Sequence, residues 1–211
     1  MFYKDSRNIY RARPLESFAW LDHGFGTRHA AGPPDRLATL HQIHSAICVP
    51  ARGRTGLLGD GDALLDNTPG NFLAVKTADC IPILLVDEEH RAVAAVHAGW
   101  RGTVSRIAAA AVRMMQEEFR ARPGGLHAAI GPGIGKCCYQ VGADVAAQFG
   151  ESGSCHLDLV EANRLQLLDA GVPVAHIYAA RLCTRCGVHD FHSFRRDKEH
   201  SGRMFSFVGI A

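Results

Sequence analysis

Residues 76–102, KTADCIPILLVDEEHRAVAAVHAGWRG, hold two apolar runs, IPILLVD (81–87) and AVAAVHAG (92–99), on either side of the charged stretch Glu88-Glu89-His90-Arg91. Short runs rich in Val, Ile and Leu, split by a polar turn, read as a β-hairpin with strands buried on both faces. The run FLAVKTADC (72–80) just before them reads as a further strand. A thiol, Cys80, ends that strand, and an imidazole, His97, lies near the end of the hairpin.

Outward from this hairpin the pattern alternates. RGTVSRIAAAAVRMMQEEF (101–119) is built of helix formers and stops before Arg122-Pro123-Gly124-Gly125, which predicts one helix over 101–119. LHAAIG (126–131) predicts a strand, and VGADVAAQFG (141–150) and LDLVEANRLQLLDAG (157–171) predict helices closed by glycine. AHIYAA (175–180) and FSFVGIA (205–211) complete the strands. The expected class is α/β in the α+β layered sense, with one mixed, partly antiparallel sheet flanked by helices. No linker, repeat or low-complexity tract divides the 211 residues, so one domain spanning 1–211 is expected.

Composition narrows the function. A net charge of +2 is too balanced for the basic footprint of a nucleic-acid binder, while leaving room for a small anionic ligand. The N-terminal MFYKDSRNIYRARP lacks an apolar leader core, and no window is long and apolar enough to span a membrane, so a soluble cytoplasmic protein is expected. Seven cysteines point to reduced thiols or metal ligands rather than a disulfide framework. The sequence leaves the oligomeric state open.

His44, in LHQIHSA (40–46), joins Cys80 and His97 as a third candidate ligand. Two imidazoles and one thiolate suit zinc, and three protein ligands leave a fourth position for water or substrate, as catalytic sites do. Spacings of 36 and 17 residues differ from the short paired spacings of closed structural sites. The residue types alone also fit a second reading, in which a buried thiol and imidazole have purely structural roles.

The strings GDALL (61–65), KTADCIPILL (76–85), AAVHAGWRG (94–102), IGPGIGKCCYQVG (130–142) and SFRRD (193–197), in this order, resemble the YfiH-like family, whose members carry the names polyphenol oxidase and laccase-domain protein. The resemblance covers residues 23–211. It implies that His44, Cys80 and His97 bind zinc in a shallow pocket. It also implies an enzyme of purine nucleosides, by phosphorolysis of adenosine, inosine, guanosine or methylthioadenosine and by adenosine deamination. Some members are tied instead to editing of peptidoglycan precursors. This chain departs from the family pattern in the short segment between Arg28 and His41, in His192 and Phe194, and in Ser45. Twelve histidines without one His-x-His pair argue against a true multicopper laccase, although copper can occupy the same trio.

For the chemistry, Asp62 on a glycine-flanked loop is the expected proton donor, with Asp79 as its rival. Phosphate is expected on Arg28 and Arg101, and on a backbone nest at Gly131, Gly133 and Gly135. Arg195 and Arg196 are further candidate anion binders. Cys183, Cys186, His189 and His192 form a second, tightly spaced candidate metal set. Two other classes stay open. One is a cysteine-dependent amide hydrolase, with Cys80 as nucleophile and His97 as base, or with Cys137 or Cys138 as the nucleophile. The other is a non-catalytic metal-binding module.

Overall fold

A computed structural model describes residues 1–211. The hairpin is present as β9 (Ile81–Asp87) and β10 (Ala92–Ala98), paired antiparallel from Ala92↔Asp87 to Ala98↔Ile81. Both strands are buried along their whole length, as uninterrupted apolar runs require.

The α+β class holds, with mixed sheets and five helices, but the single sheet expected from sequence is divided into two large ones. The six-stranded sheet runs β14-β11-β9-β10-β7-β5. Its remaining members are β5 (Cys48–Pro50), β7 (Ala63–Asp66), β11 (Leu126–Ile130) and β14 (Ile177–Ala179). The seven-stranded sheet runs β1-β2-β3-β15-β8-β4-β6. It comprises β1 (Phe2–Lys4), β2 (Ile9–Ala12), β3 (Leu21–Gly26), β4 (Leu37–His41), β6 (Gly56–Asp60), β8 (Phe72–Thr77) and β15 (Met204–Ile210). A small ribbon pairs β12 (Gln140–Val141) with β13 (Cys155–His156).

Strand alternation explains the layers. Leu84, Val86, Val93 and Ala95 point to one side, where they meet Phe25, Leu73, Val75 and Val208 of the larger sheet. Ile83, Leu85, Ala94 and Val96 point to the other, against Ile107, Ala111 and Met115 of a helix. The order is sheet, sheet, helix.

The helix expected over 101–119 is two: α1 (Trp100–Val104) and α2 (Ile107–Phe119). Arg106 between them takes a left-handed conformation, φ 60°. Thr103 is pinned from α4 (Leu159–Asp169) by the side-chain amides of Asn163, 2.9 Å to Oγ1, and Gln166, 2.6 Å to the carbonyl oxygen. The helix expected over 141–150 shrinks to α3 (Ala143–Ala147), because Gln140 and Val141 pair with His156 and Cys155. A last short helix, α5 (Phe194–Asp197), starts at Ser193, whose hydroxyl accepts from the Arg196 amide. No helix is long and apolar enough to cross a membrane.

One buried histidine couples this fold to pH. The amide of Ala12 donates to His23 Nε2 at 3.0 Å, and burial, reinforced by the nearby Arg11 charge, pushes the imidazole down to about 4. The unfolded chain therefore binds a proton there before the folded one does, so stability falls as pH drops from about 6.5 toward 4. The loss should approach roughly 3 kcal/mol. Denaturant unfolding of wild type and His23→Gln at pH 7 and pH 4.5 checks this; a wild-type slope that survives in the variant would contradict it.

Candidate active site

The ends of three segments meet where the central strands β9 and β10 of the six-stranded sheet begin and end. Cys80 follows β8, His97 lies near the end of β10, and His44 sits on the loop after β4 with φ 61°. Their donor atoms all lie within 4.8 Å of one another, and Cys80 Sγ is 3.9 Å from His44 Nε2. A Cβ on Gly99 would come 2.9 Å from the His44 ring and 3.0 Å from the Cys80 sulfur, so glycine there keeps the cluster open.

Asp62 sets the orientation of the trio. Its fully buried carboxylate accepts from His97 Nδ1 at 2.8 Å, leaving Nε2 to face Cys80 and His44. It also accepts from the amides of His44 (3.0 Å) and Ser45 (2.6 Å) and from the Ser45 hydroxyl (2.7 Å). Burial raises its pKa, but the hydrogen bonds from His97 and from the hydroxyl and amide of Ser45, with the His97 charge, outweigh it and hold the group down at about 2. For Cys80, burial opposes ionisation, yet His44 and His97 outweigh it and lower the thiol's pKa; for His97, Asp62 and Cys80 outweigh burial and raise the imidazole's. The result favours a thiolate paired with a protonated His97, and an ion bound there would take the place of that proton, leaving a thiolate and two neutral imidazoles as donors. Such a donor set fits a tetrahedral, borderline-soft ion with one open position.

The trio opens into a cleft of about 610 Å³. Trp100, Tyr139 and Phe194 give it aromatic walls, and Lys76, Arg195, Lys198 and Arg203 give it cations. Arg195 donates to the Gln140 carbonyl at 2.8 Å and lies over the Tyr139 ring. His41 also lines the cleft, its Nδ1 held by Asp60 at 2.9 Å.

Several sequence expectations need correction. Asp62 is not an exposed loop acid: it is buried behind His97 and does not line the cleft, because three backbone and side-chain donors of residues 44–45 and one of His97 close over it. Asp79, at φ 94°, is turned into the structure, accepting from Thr184 Oγ1 (2.7 Å) and the Arg195 amide (2.6 Å). Arg28 lies outside the cleft and donates to the Val188 carbonyl. Arg101 is exposed and stacks on Trp100, its guanidinium carbon 4.3 Å from the ring centre. Arg196 is spent on Asp197 and the carbonyls of Thr184, Arg185 and Phe191.

The glycine loop is not an anion nest. The amides of Gly131, Gly133 and Gly135 already donate to Pro82 O, Leu182 O and Cys183 Sγ, and Cβ atoms on the first two would strike Phe25 and Ile81. These glycines allow close packing. Cys183 and Cys186 do not meet His189 and His192; they meet Cys137 and Cys138 instead. The cation wall at 195–203 was only partly visible in sequence, where Arg195 and Arg196 stood out; Arg196 does not line the cleft, and Lys198 and Arg203 do.

This combination is a two-His, one-Cys group that could hold a metal ion, set at the ends of central strands of an α+β fold. The family model described as "Multi-copper polyphenol oxidoreductase laccase" matches residues 26–211, and the chain belongs to that family. It is similar to a purine nucleoside phosphorylase of Deinococcus radiodurans, 44% identical, over 83% of this chain and 71% of that protein. It is also similar to adenosine deaminase RL5 of an unknown prokaryotic organism, 42% identical, over 70% of this chain and 61% of that protein. Among solved structures, YlmD from Geobacillus stearothermophilus superposes with a TM-score of 0.88 at 32% identity, covering 99% of this chain and 98% of that one. The expected YfiH-like family is thus the right one.

Proposed function

We propose that the chain is a zinc-dependent enzyme of purine nucleosides, cleaving the N-glycosidic bond with phosphate and deaminating adenosine as a second activity. One observation carries this reading: the open three-donor cluster faces a cleft that offers aromatic faces for a base and four cations for phosphate. The names of the two relatives support it.

His44, Cys80 and His97 hold the ion in this reading, and Asp62 fixes the tautomer and ring orientation of His97, as ligating histidines require. A bound zinc ion supplies Lewis acidity, the property that makes water or a substrate oxygen reactive near neutral pH. The chain's own residues do the rest. Phe194, exposed at the cleft, and Trp100 provide flat apolar faces for a purine. Arg195, held between Tyr139 and the Gln140 carbonyl, presents its remaining guanidinium donors for phosphate, with Lys76, Lys198 and Arg203 adding charge. Phosphorolysis breaks the bond from C1′ to the base nitrogen and forms one from C1′ to a phosphate oxygen, leaving free base and ribose 1-phosphate.

The chain from Asp62 through His97 to Cys80 also has the order of a carboxylate, base and thiol nucleophile, which favours the amide-hydrolase reading. His44, 3.9 Å from the same sulfur, has no part in such a triad but completes a metal-ligand set. Chromatography of products from inosine, guanosine, adenosine and methylthioadenosine, with and without phosphate, tests the main reading; base release indifferent to phosphate would reject phosphorolysis. Arg195→Ala is expected to raise the KM for phosphate about tenfold, the worth of one charge-assisted contact, while adenosine deamination changes little. Equal losses in both activities would assign Arg195 to the scaffold alone.

A further inference from the structure

Four cysteines outside the cleft converge on one point. Cys137 and Cys138 lie on a turn after the glycine loop, and Cys183 and Cys186 lie on the turn after β14, 48 residues along the chain in the case of Cys138 and Cys186. Their sulfurs all lie within 4.8 Å of one another, at 3.3 Å for Cys138 to Cys186, 3.7 Å for Cys137 to Cys186 and 3.8 Å for Cys137 to Cys138. Sulfurs around a tetrahedral zinc at about 2.3 Å stand about 3.8 Å apart. The cluster therefore already has the size of a tetrathiolate cage.

The backbone is laced to hold it. Gly133 donates to the Leu182 carbonyl at 3.2 Å, and Thr184 donates back to the Gly133 carbonyl at 3.0 Å, which brings the two loops side by side. The amide of Gly135 donates to Cys183 Sγ at 3.3 Å, a contact that stabilises a thiolate. A Cβ on Gly135 would lie 3.2 Å from Cys183 Cβ and 3.3 Å from Cys137 Sγ, so this glycine leaves the cage its room. Cys183-Thr184-Arg185-Cys186 has the two-residue spacing that supplies one ligand pair in structural zinc sites.

We propose that Cys137, Cys138, Cys183 and Cys186 form a second metal site, a closed tetrathiolate that takes zinc and has a structural role. Four thiolates leave no open position, so the site ties loops together and performs no chemistry. Both loops it joins reach the cleft: one brings Ile134 and Tyr139, and the other brings Thr184, which donates to Asp79, and leads on to Phe194 and Arg195. The proposal does not rest on the nucleoside reading, since the two clusters share no residue.

Cobalt(II) titration of reduced protein under anaerobic conditions tests it, because cobalt reports thiolate number through its charge-transfer band and tetrahedral geometry through its visible bands. Cys80→Ala is expected to bind one cobalt ion with the intensity of four thiolates, which zinc then displaces. Cys137→Ser combined with Cys186→Ser should lose that band. Should the double variant fail to fold, titration of wild type still decides, with two ions expected and the four-thiolate spectrum present. A Cys80→Ala protein with no thiolate-to-cobalt band, or a wild type that binds a single ion with the spectrum of one thiolate, would overturn the site.

Discussion

Cys80→Ala is expected to lose the ion from the His44, Cys80 and His97 cluster and to slow nucleoside turnover by about a thousandfold or more. The cluster has one thiolate, and its removal leaves two imidazoles, too few to hold an ion in an open site. Lewis acidity contributes several kcal/mol of transition-state stabilisation, and each 1.36 kcal/mol is about tenfold in rate. The fold should persist, because Cys80 lies beyond the end of β8 and makes no contact in the main cores. Metal analysis, circular dichroism and initial rates on one preparation check all three. Undiminished turnover with normal metal content would place the chemistry elsewhere.

Asp62→Asn is expected to weaken metal binding or turnover by roughly 10- to 100-fold and to destabilise the fold by about 2–4 kcal/mol. The carboxylate accepts four hydrogen bonds at 2.6–3.0 Å with no solvent exposure. A carboxamide has a single acceptor atom, and its amino group would face N–H donors it cannot satisfy. The effect should grow as metal becomes scarce and shrink when zinc is supplied in excess, a dependence that a substrate-facing acid would not show. Zinc titration of activity, alongside chemical denaturation, measures both parts. An undiminished metal affinity with a hundredfold lower turnover would return Asp62 to the role of proton donor.

The hairpin 81–98 was legible because both of its strands are buried on both faces, which gives unbroken apolar runs that few other structures produce. Of the seven-stranded sheet only β8 and β15 were legible as strands, and their pairing was not. β6 is mostly exposed, β1 has three residues, and β15 lies between β3 and β8 through pairings that cross most of the chain. Local periodicity carries no record of such partners. Cys80 and His97 stand out at strand ends, but residue types alone leave a structural reading open, and it is the family resemblance that implies His44, Cys80 and His97 together as a ligand set. The role of Asp62 was hidden: the glycines just before it, Gly59 and Gly61, read as an exposed loop, whereas the amides of His44 and Ser45, the Ser45 hydroxyl and His97 close on the carboxylate. The cysteines were visible as two pairs, but their mutual contact depends on the lacing of Gly133 to residues 182–184. Likewise the start of α5, which carries Arg195 to the cleft, is held by Asp79 through the Arg195 amide, a contact between residues 116 apart in sequence.

The most direct test is inosine cleavage by wild type and Cys80→Ala, each assayed with zinc supplied and with phosphate present or omitted, the products separated by chromatography. Wild type should release hypoxanthine and ribose 1-phosphate in equal amounts only when phosphate is present, and Cys80→Ala should release neither at a measurable rate. Hypoxanthine formed without phosphate, or formed equally well by Cys80→Ala, would contradict a metal-dependent phosphorolysis at this cluster.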